Sequence, residues 1–248
     1  MSTLNQSPEA QARIDLTAAL RSAARLGFGE GICNHFSLAL PGKADNFLIN
    51  PWSLHWAEVT PADLVVVDAH GRKVSGKHGV EPTAFFIHSA IHRGNANATC
   101  VMHTHMPYAT SLTTVQGGRL ESASQVSLKF RNRVAYDDNY QGLALDDAEG
   151  ERMCREMGSA DVLFLGNHGV IVCGPNVSTT FDDLYYLERA CQLQVLAAGT
   201  GKPLRIVPDD IAERTARQMR GESQQAALHL EALKRLLDRD EPGWSRLE

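Results

Sequence analysis

Two apolar runs of strand character, "NHFSLAL" (34–40) and "NFLIN" (46–50), are separated only by the turn-forming "PGKAD". Five residues can close a hairpin, but a parallel crossover needs a dozen or more. The same crowding recurs at "DVLFLGNHGVIVCG" (161–174), where two apolar runs flank a Gly-Asn-His-Gly corner. A doubly wound parallel sheet does not accommodate such links. Helical segments lie between the strands, so the chain is expected to be α/β, with helices packed on a mixed or antiparallel sheet.

The helices announce themselves by their ends. "SPEAQARIDLTAALRSAARLGFGEG" begins with a capping Ser7 and Pro8 and stops at Gly27 and Gly29. "EPTAFFIHSAIHRGN" starts at Pro82, with Gly94 just past its end, and "DDAEGERMCREMGS" forms a third helix. "STTFDDLYYLERACQLQVLAAGTG" predicts a long one, with a capping box at Thr179 and Asp182 and a face of Leu184, Leu187, Cys191, Val195 and Ala198. "DLVVVDAHGRKVSG" reads as a strand followed by a turn, "ATCVMHTH" as a buried strand and "RVAYDDN" as a shorter one. One or two polar helices are expected after Pro208, with a seam of Leu230, Leu233 and Leu237 that docks on the body or on a neighbouring subunit. The expected organisation is one domain over residues 1–248, with a core at 8–200 and a helical extension at 203–248.

Composition narrows the partners. A net charge of -5 argues against nucleic acid or an anionic membrane surface, and fits small-molecule chemistry. No run approaches a membrane span, and "MSTLNQSPEAQARIDL" lacks the basic start and apolar core of a signal peptide, so a cytoplasmic location is expected. The five scattered cysteines form neither a disulfide framework nor a zinc knuckle.

Chemistry concentrates in the histidines. Side chains two apart on a strand share a face, so His103 and His105 present two imidazoles to one side. His168, at the Gly-flanked corner, could complete the three-ligand set of a catalytic metal site with one open position. An isolated His-x-His is more often two ordinary strand histidines, and the third histidine at the Gly-flanked corner is what brings the metal reading level with it. His88 and His92 lie one helical turn apart and are expected on the helix surface or against the core; His35, His55, His70, His78 and His229 have no assignment. Glu81, just before Pro82, lies where a helix dipole favours an anion, as many ordinary glutamates do.

In this order, His103-x-His105, "LFLGNHGVIVCG" and "FDDLYYLERACQLQV", with "CNHFSLAL", "INPWSLHW", "DLVVVDAHGRKVSG" and "EPTAFFIHSAIHR" upstream, resemble the class II aldolase/adducin family from the first helix to about Gly199. The resemblance implies a three-layer α/β/α sandwich around a largely antiparallel sheet, and a homotetramer with active sites between subunits. It implies a divalent metal on His103, His105 and His168, Zn2+ first and Fe2+, Mn2+ or Co2+ as alternatives. Glu81 takes the acid/base role. The implied reaction is C–C cleavage, by retro-aldol reaction or decarboxylation, through an enediolate that the metal stabilises.

The phosphate-binding positions of the sugar-phosphate aldolases are altered. Asn34 and Ser37 remain, but the Thr-Gly pair reads Trp52-Ser53 and the Ser-Ser pair reads Gly79-Val80. Burying an unpaired dianion there is costly, so the expected substrate is a hydroxy or keto acid without phosphate, with Trp52 and Trp56 either facing an apolar part of it or packing in the core. Tyr136 or Tyr140 stands in for a catalytic tyrosine, and Arg131 and Arg133 either bind a substrate carboxylate or are solvated. Two further readings stay open: an iron-dependent oxygenase or oxidative decarboxylase on the same histidines, and a non-catalytic adducin-like binding module.

Overall fold

The computed structural model describes residues 7–221 and 224–248. Helix α1 (Pro8–Arg25) is capped by Ser7, whose side chain accepts from the Ala10 N–H. A strand pair follows, β1 (His35–Leu40) and β2 (Lys43–Ile49), then β3 (Val65–Asp68) and β4 (Lys73–Ser75). "DLVVVDAHGRKVSG" is therefore a hairpin, not a strand and a turn: Gly71 supplies the positive φ of 77° that reverses the chain. Helix α2 (Pro82–Gly94) leads to β5 (Cys100–Thr104) and the short α3 (Pro107–Thr113). Next come β6 (Val134–Asp137), α4 (Asp147–Met157), β7 (Val162–Leu165), β8 (Gly169–Gly174) and α5 (Val177–Ala198). Two helices close the chain, α6 (Asp209–Arg220) and α7 (Gln225–Asp240).

The eight strands make one sheet in the order β4-β3-β2-β1-β5-β8-β7-β6. Every neighbouring pair is antiparallel except β6 and β7, which α4 joins as a parallel crossover. The sheet is thus mixed and largely antiparallel, as the short links require. Alternation along each strand sorts the side chains into two layers. Phe36, Met102, Phe164 and Val170 pack with α1, α3, α5 and α7, while Val101, Leu163 and Ile171 pack with α2 and α4. The result is an α/β/α sandwich.

Local details differ from expectation in two places. Helix α5 is capped by Asn176, which accepts from the Thr179 N–H, so Thr179 and Asp182 form no capping box. Asp182 is buried and bound to Lys129 and His229 instead. The seam of α7 docks on the body: Leu230 and Leu237 are buried, and Leu233 packs on the same core. No helix among the described residues is long and apolar enough to cross a membrane.

Candidate metal centre

Strand β5 carries the first two imidazoles. His103 is its penultimate residue and is buried; His105 follows the strand and is half-buried. The ring of His103 donates from Nδ1 to the Val170 carbonyl at 3.0 Å. His105 points Nδ1 at the Glu30 carboxylate, 2.5 Å away. With a proton on each Nδ1, the two rings turn their Nε2 atoms to one another, and these lie 3.2 Å apart. Two lone pairs facing each other at that distance repel unless a cation sits between them. Ligands of a tetrahedral ion with metal–nitrogen bonds near 2.05 Å are separated by about 3.3 Å.

The β7–β8 corner delivers the third imidazole. Asn167 adopts a left-handed conformation (φ 57°), and its N–H bonds the Thr113 carbonyl. This turns His168 back over β5, with its ring centroid 4.8 Å from His103 and 4.9 Å from His105. One ligand nitrogen from each of the three histidines lies within 4.8 Å of the others. His168 Nδ1 is buried and has no hydrogen-bond partner among the described residues. Burial pushes the His168 imidazole down to about 4, with nearby His105 adding to the shift, and pushes His103 well below the ordinary histidine range. Neutral, lone-pair-bearing imidazoles are what a divalent metal requires, so the residues present fit one.

The Glu30 carboxylate fixes the tautomer of His105 from outside. Asn34 holds the two together, because its Oδ1 accepts from the backbone N–H of both Glu30 (3.0 Å) and His105 (3.3 Å). Its Nδ2 is buried and unpartnered among the described residues. Glu30→Gln replaces the carboxylate by a weaker acceptor and is expected to lower metal affinity about 10- to 100-fold. Titration of metal-free protein with Zn2+ against a competing chelator measures it, and unchanged affinity would remove Glu30 from the site.

Glu81 caps α2, its carboxylate accepting from the Ala84 N–H at 2.8 Å and from the Thr83 hydroxyl. It reaches towards the triad through His35, whose Nε2 lies 3.9 Å from Glu81 Oε2 and whose ring centroid lies 4.9 Å from that of His103. The two altered phosphate positions also meet: the Trp52 N–H donates to the Gly79 carbonyl at 2.9 Å. Trp52 is 49% exposed, and Ser53 takes a strained left-handed φ of 76°.

Other expected residues lie elsewhere. Ser37 is fully buried, its hydroxyl engaged by His88 and His92. Tyr136 pairs with Phe164 across β6 and β7 and shares its face, away from His103; its hydroxyl accepts from the Leu120 N–H. Tyr140 is the tyrosine beside the triad, 6.4 Å from the His168 ring. Trp56 packs on Phe36 in the core. Arg133 is spent on Asp161 and Asp183, and Arg131 on Asp209 and Glu213. Sequence reasoning left out Glu30 and His35. His35 had one usable signal, its period-two spacing from Ser37 on a strand, but no cue to which strand would lie beside it.

Comparison with known proteins gives the family and agrees with the fold. The family model for the class II aldolase and adducin N-terminal domain matches residues 14–195. The chain belongs to the class II aldolase and adducin family. A protein of Pseudomonas aeruginosa named as an aldolase class 2 protein is 36% identical over 242 residues, 95% of this chain and 92% of that one. The decarboxylase NovR of Streptomyces niveus is 32% identical, covering 81% of this chain and 74% of its own. Among solved structures, an aldolase II superfamily protein of Pseudomonas syringae superposes with a TM-score of 0.90 at 34% identity, over 97% of both chains.

Proposed function

We propose that this class II aldolase family member is a divalent-metal-dependent C–C lyase acting on a hydroxy or keto acid without phosphate. The observation that carries the reading is the pair of Nε2 atoms 3.2 Å apart, joined by His168 and backed by Glu30. A divalent cation held by His103, His105 and His168, Zn2+ in the first instance, would act as a Lewis acid towards the substrate carbonyl and its neighbouring oxygen. Glu81 holds and moves the proton. Thr83 and Ala84 fix its Oε2, which leaves Oε1 to meet the substrate. Asn34 offers its unpartnered N–H to a substrate oxygen.

Support for a substrate without phosphate comes from the Trp52–Gly79 junction. The indole occupies the position of a hydroxyl-bearing residue in the sugar-phosphate aldolases, and Ser37 is consumed internally. Both retro-aldol cleavage and decarboxylation use the same parts: an oxygen-polarising cation and a proton-moving carboxylate. The reading includes a homotetramer acting on a small molecule in the cytoplasm. A non-catalytic module has no use for three converging imidazoles or for a carboxylate that approaches them through His35.

Elemental analysis of gently purified protein, beside the His103→Ala/His105→Ala variant, tests the reading. The expected result is about one equivalent of metal, lost in the variant, since removing two of three ligands leaves no chelate. Zinc, manganese or cobalt directs the search to aldol and decarboxylation substrates. Iron would favour the oxygenase reading and calls for oxygen-uptake assays. Protein that holds no metal and regains none would overturn the proposal.

A further inference from the structure

Beneath the triad, three more histidines form a closed chain of hydrogen bonds that the proposed reaction does not require. His92 Nδ1 lies 2.6 Å from the Ala98 carbonyl. His92 Nε2 lies 2.7 Å from Ser37 Oγ, and that oxygen lies 2.5 Å from His88 Nδ1. His88 Nε2 lies 2.8 Å from His35 Nδ1. His35, Ser37 and His88 are buried and His92 is half-buried, with burial holding its imidazole down to about 4, so each ring bears a single proton unless a carboxylate compensates a second. Among the described residues the one carboxylate near the chain is Glu81, at its far end.

A carbonyl oxygen can only accept, and this fixes the direction of every bond. His92 carries its proton on Nδ1 and gives it to Ala98. Its bare Nε2 therefore accepts from the Ser37 hydroxyl. Having spent its only proton, Ser37 must accept from Nδ1–H of His88. The bare Nε2 of His88 then accepts from Nδ1–H of His35, and the last lone pair is left on His35 Nε2, which lies 3.9 Å from Glu81 Oε2.

We infer that His35 is a positioning residue for Glu81, held by this one-way relay so that a lone pair, never an N–H, faces the carboxyl. The purpose of the relay rests on the reading of Glu81 as the acid/base. A protonated Glu81 finds an acceptor in His35 after a small side-chain rotation. The carboxylate form finds none of the stabilisation that an Nε2–H would give it. Among the described residues the donors to Glu81 are the Thr83 hydroxyl and the Ala84 N–H, and both bind Oε2, the oxygen that also lies nearest His35. Ser37, expected from sequence to touch substrate, is the reversing point of the relay.

Nitrogen NMR of the full-length, 15N-histidine-labelled chain supplied with Zn2+ tests this without substrate. His35, His88 and His92 are expected to be single Nδ1–H tautomers, the minority form of free neutral imidazole. Assignment follows from peaks lost in His35→Gln or, if that variant does not fold, from connectivity to the backbone. A proton on Nε2 of His35 would overturn the inference in the unmodified protein. In Glu81→Leu the tautomer of His35 is expected to stay as it is, because the relay and not the carboxylate sets it. A change of tautomer in that variant would also overturn it. Ser37→Ala removes the reversing point and is expected to turn His35 into a mixture of tautomers, while Ser37→Thr keeps it single. Turnover that survives Glu81→Gln would count against the acid/base reading alone, because the peaks are read independently of catalysis.

Discussion

Glu81→Gln is expected to lower turnover by about 10²- to 10⁴-fold, the usual contribution of a positioned acid/base group, while the metal content stays at the wild-type value. Gln keeps the size of the side chain and can still accept from the Ala84 N–H and the Thr83 hydroxyl, so the cap on α2 survives. What it loses is the ability to take and return a proton. Metal content is spared because the histidine ligands are supported separately, by the Val170 carbonyl and Glu30. Turnover of the substrate found in the aldol and decarboxylation screens, read beside elemental analysis, checks both halves. Full activity would remove Glu81 from the mechanism; loss of metal together with activity would make it part of the metal shell.

Gly169→Ala is expected to weaken metal binding at least as much as Glu30→Gln does, and to destabilise the fold by about 1–3 kcal/mol, the range for overpacking a tight interior. A Cβ at Gly169 would lie 2.5 Å from the Thr104 carbonyl oxygen and 2.7 Å from His105 Cδ2. Neither neighbour is the free end of a flexible chain. Thr104 pairs with Val170 in the β5–β8 ladder, and His105 is tied to Glu30. Relief therefore comes only by spreading the two strands that carry His103 and His168, just where their separation sets the geometry of the triad. Denaturant midpoints and Zn2+ titration measure the two effects. Gly199→Ala is the control: the residue ends α5 at φ -61°, and an added Cβ would meet nothing closer than 3.4 Å. Gly169→Ala matching that control in both measurements would show that the corner tolerates a side chain, and that close approach of the backbone is not what places His168.

Much of the site was legible because it lies at element ends, where sequence signals are strongest. His103 and His105 follow from period-two alternation on an apolar strand, and His168 from glycines that mark a corner. Glu81 precedes a helix-opening proline and proves to be the cap itself. Tyr136 shows the limit. Its strand was recognised, yet which face of a four-residue strand looks at the histidine triad depends on register, and its partnering with Phe164 sends it to the opposite layer. Arg131 and Arg133 failed for a different reason. Their carboxylate partners Asp161, Asp183, Asp209 and Glu213 are distant in sequence, so nothing local announced that both guanidinium groups were already paired.

Link lengths and periodicity, properties of the chain alone, determined the class of sheet, the α/β alternation and the three histidine candidates, while the role of Glu81 came from the family resemblance. Tertiary structure decided what surrounds them. The pairing of β1 with β5 sets His35 opposite His103 and Ser37 opposite Val101, and so brings them under α2, where His88 and His92 wait. Asn34 bonding both Glu30 and His105 is likewise a product of loop meeting strand. The physical reason is the same in each case. Backbone geometry repeats every two or 3.6 residues and is written into the local sequence, whereas a hydrogen bond between side chains 50 or more residues apart exists only once strand register has fixed which rings face each other.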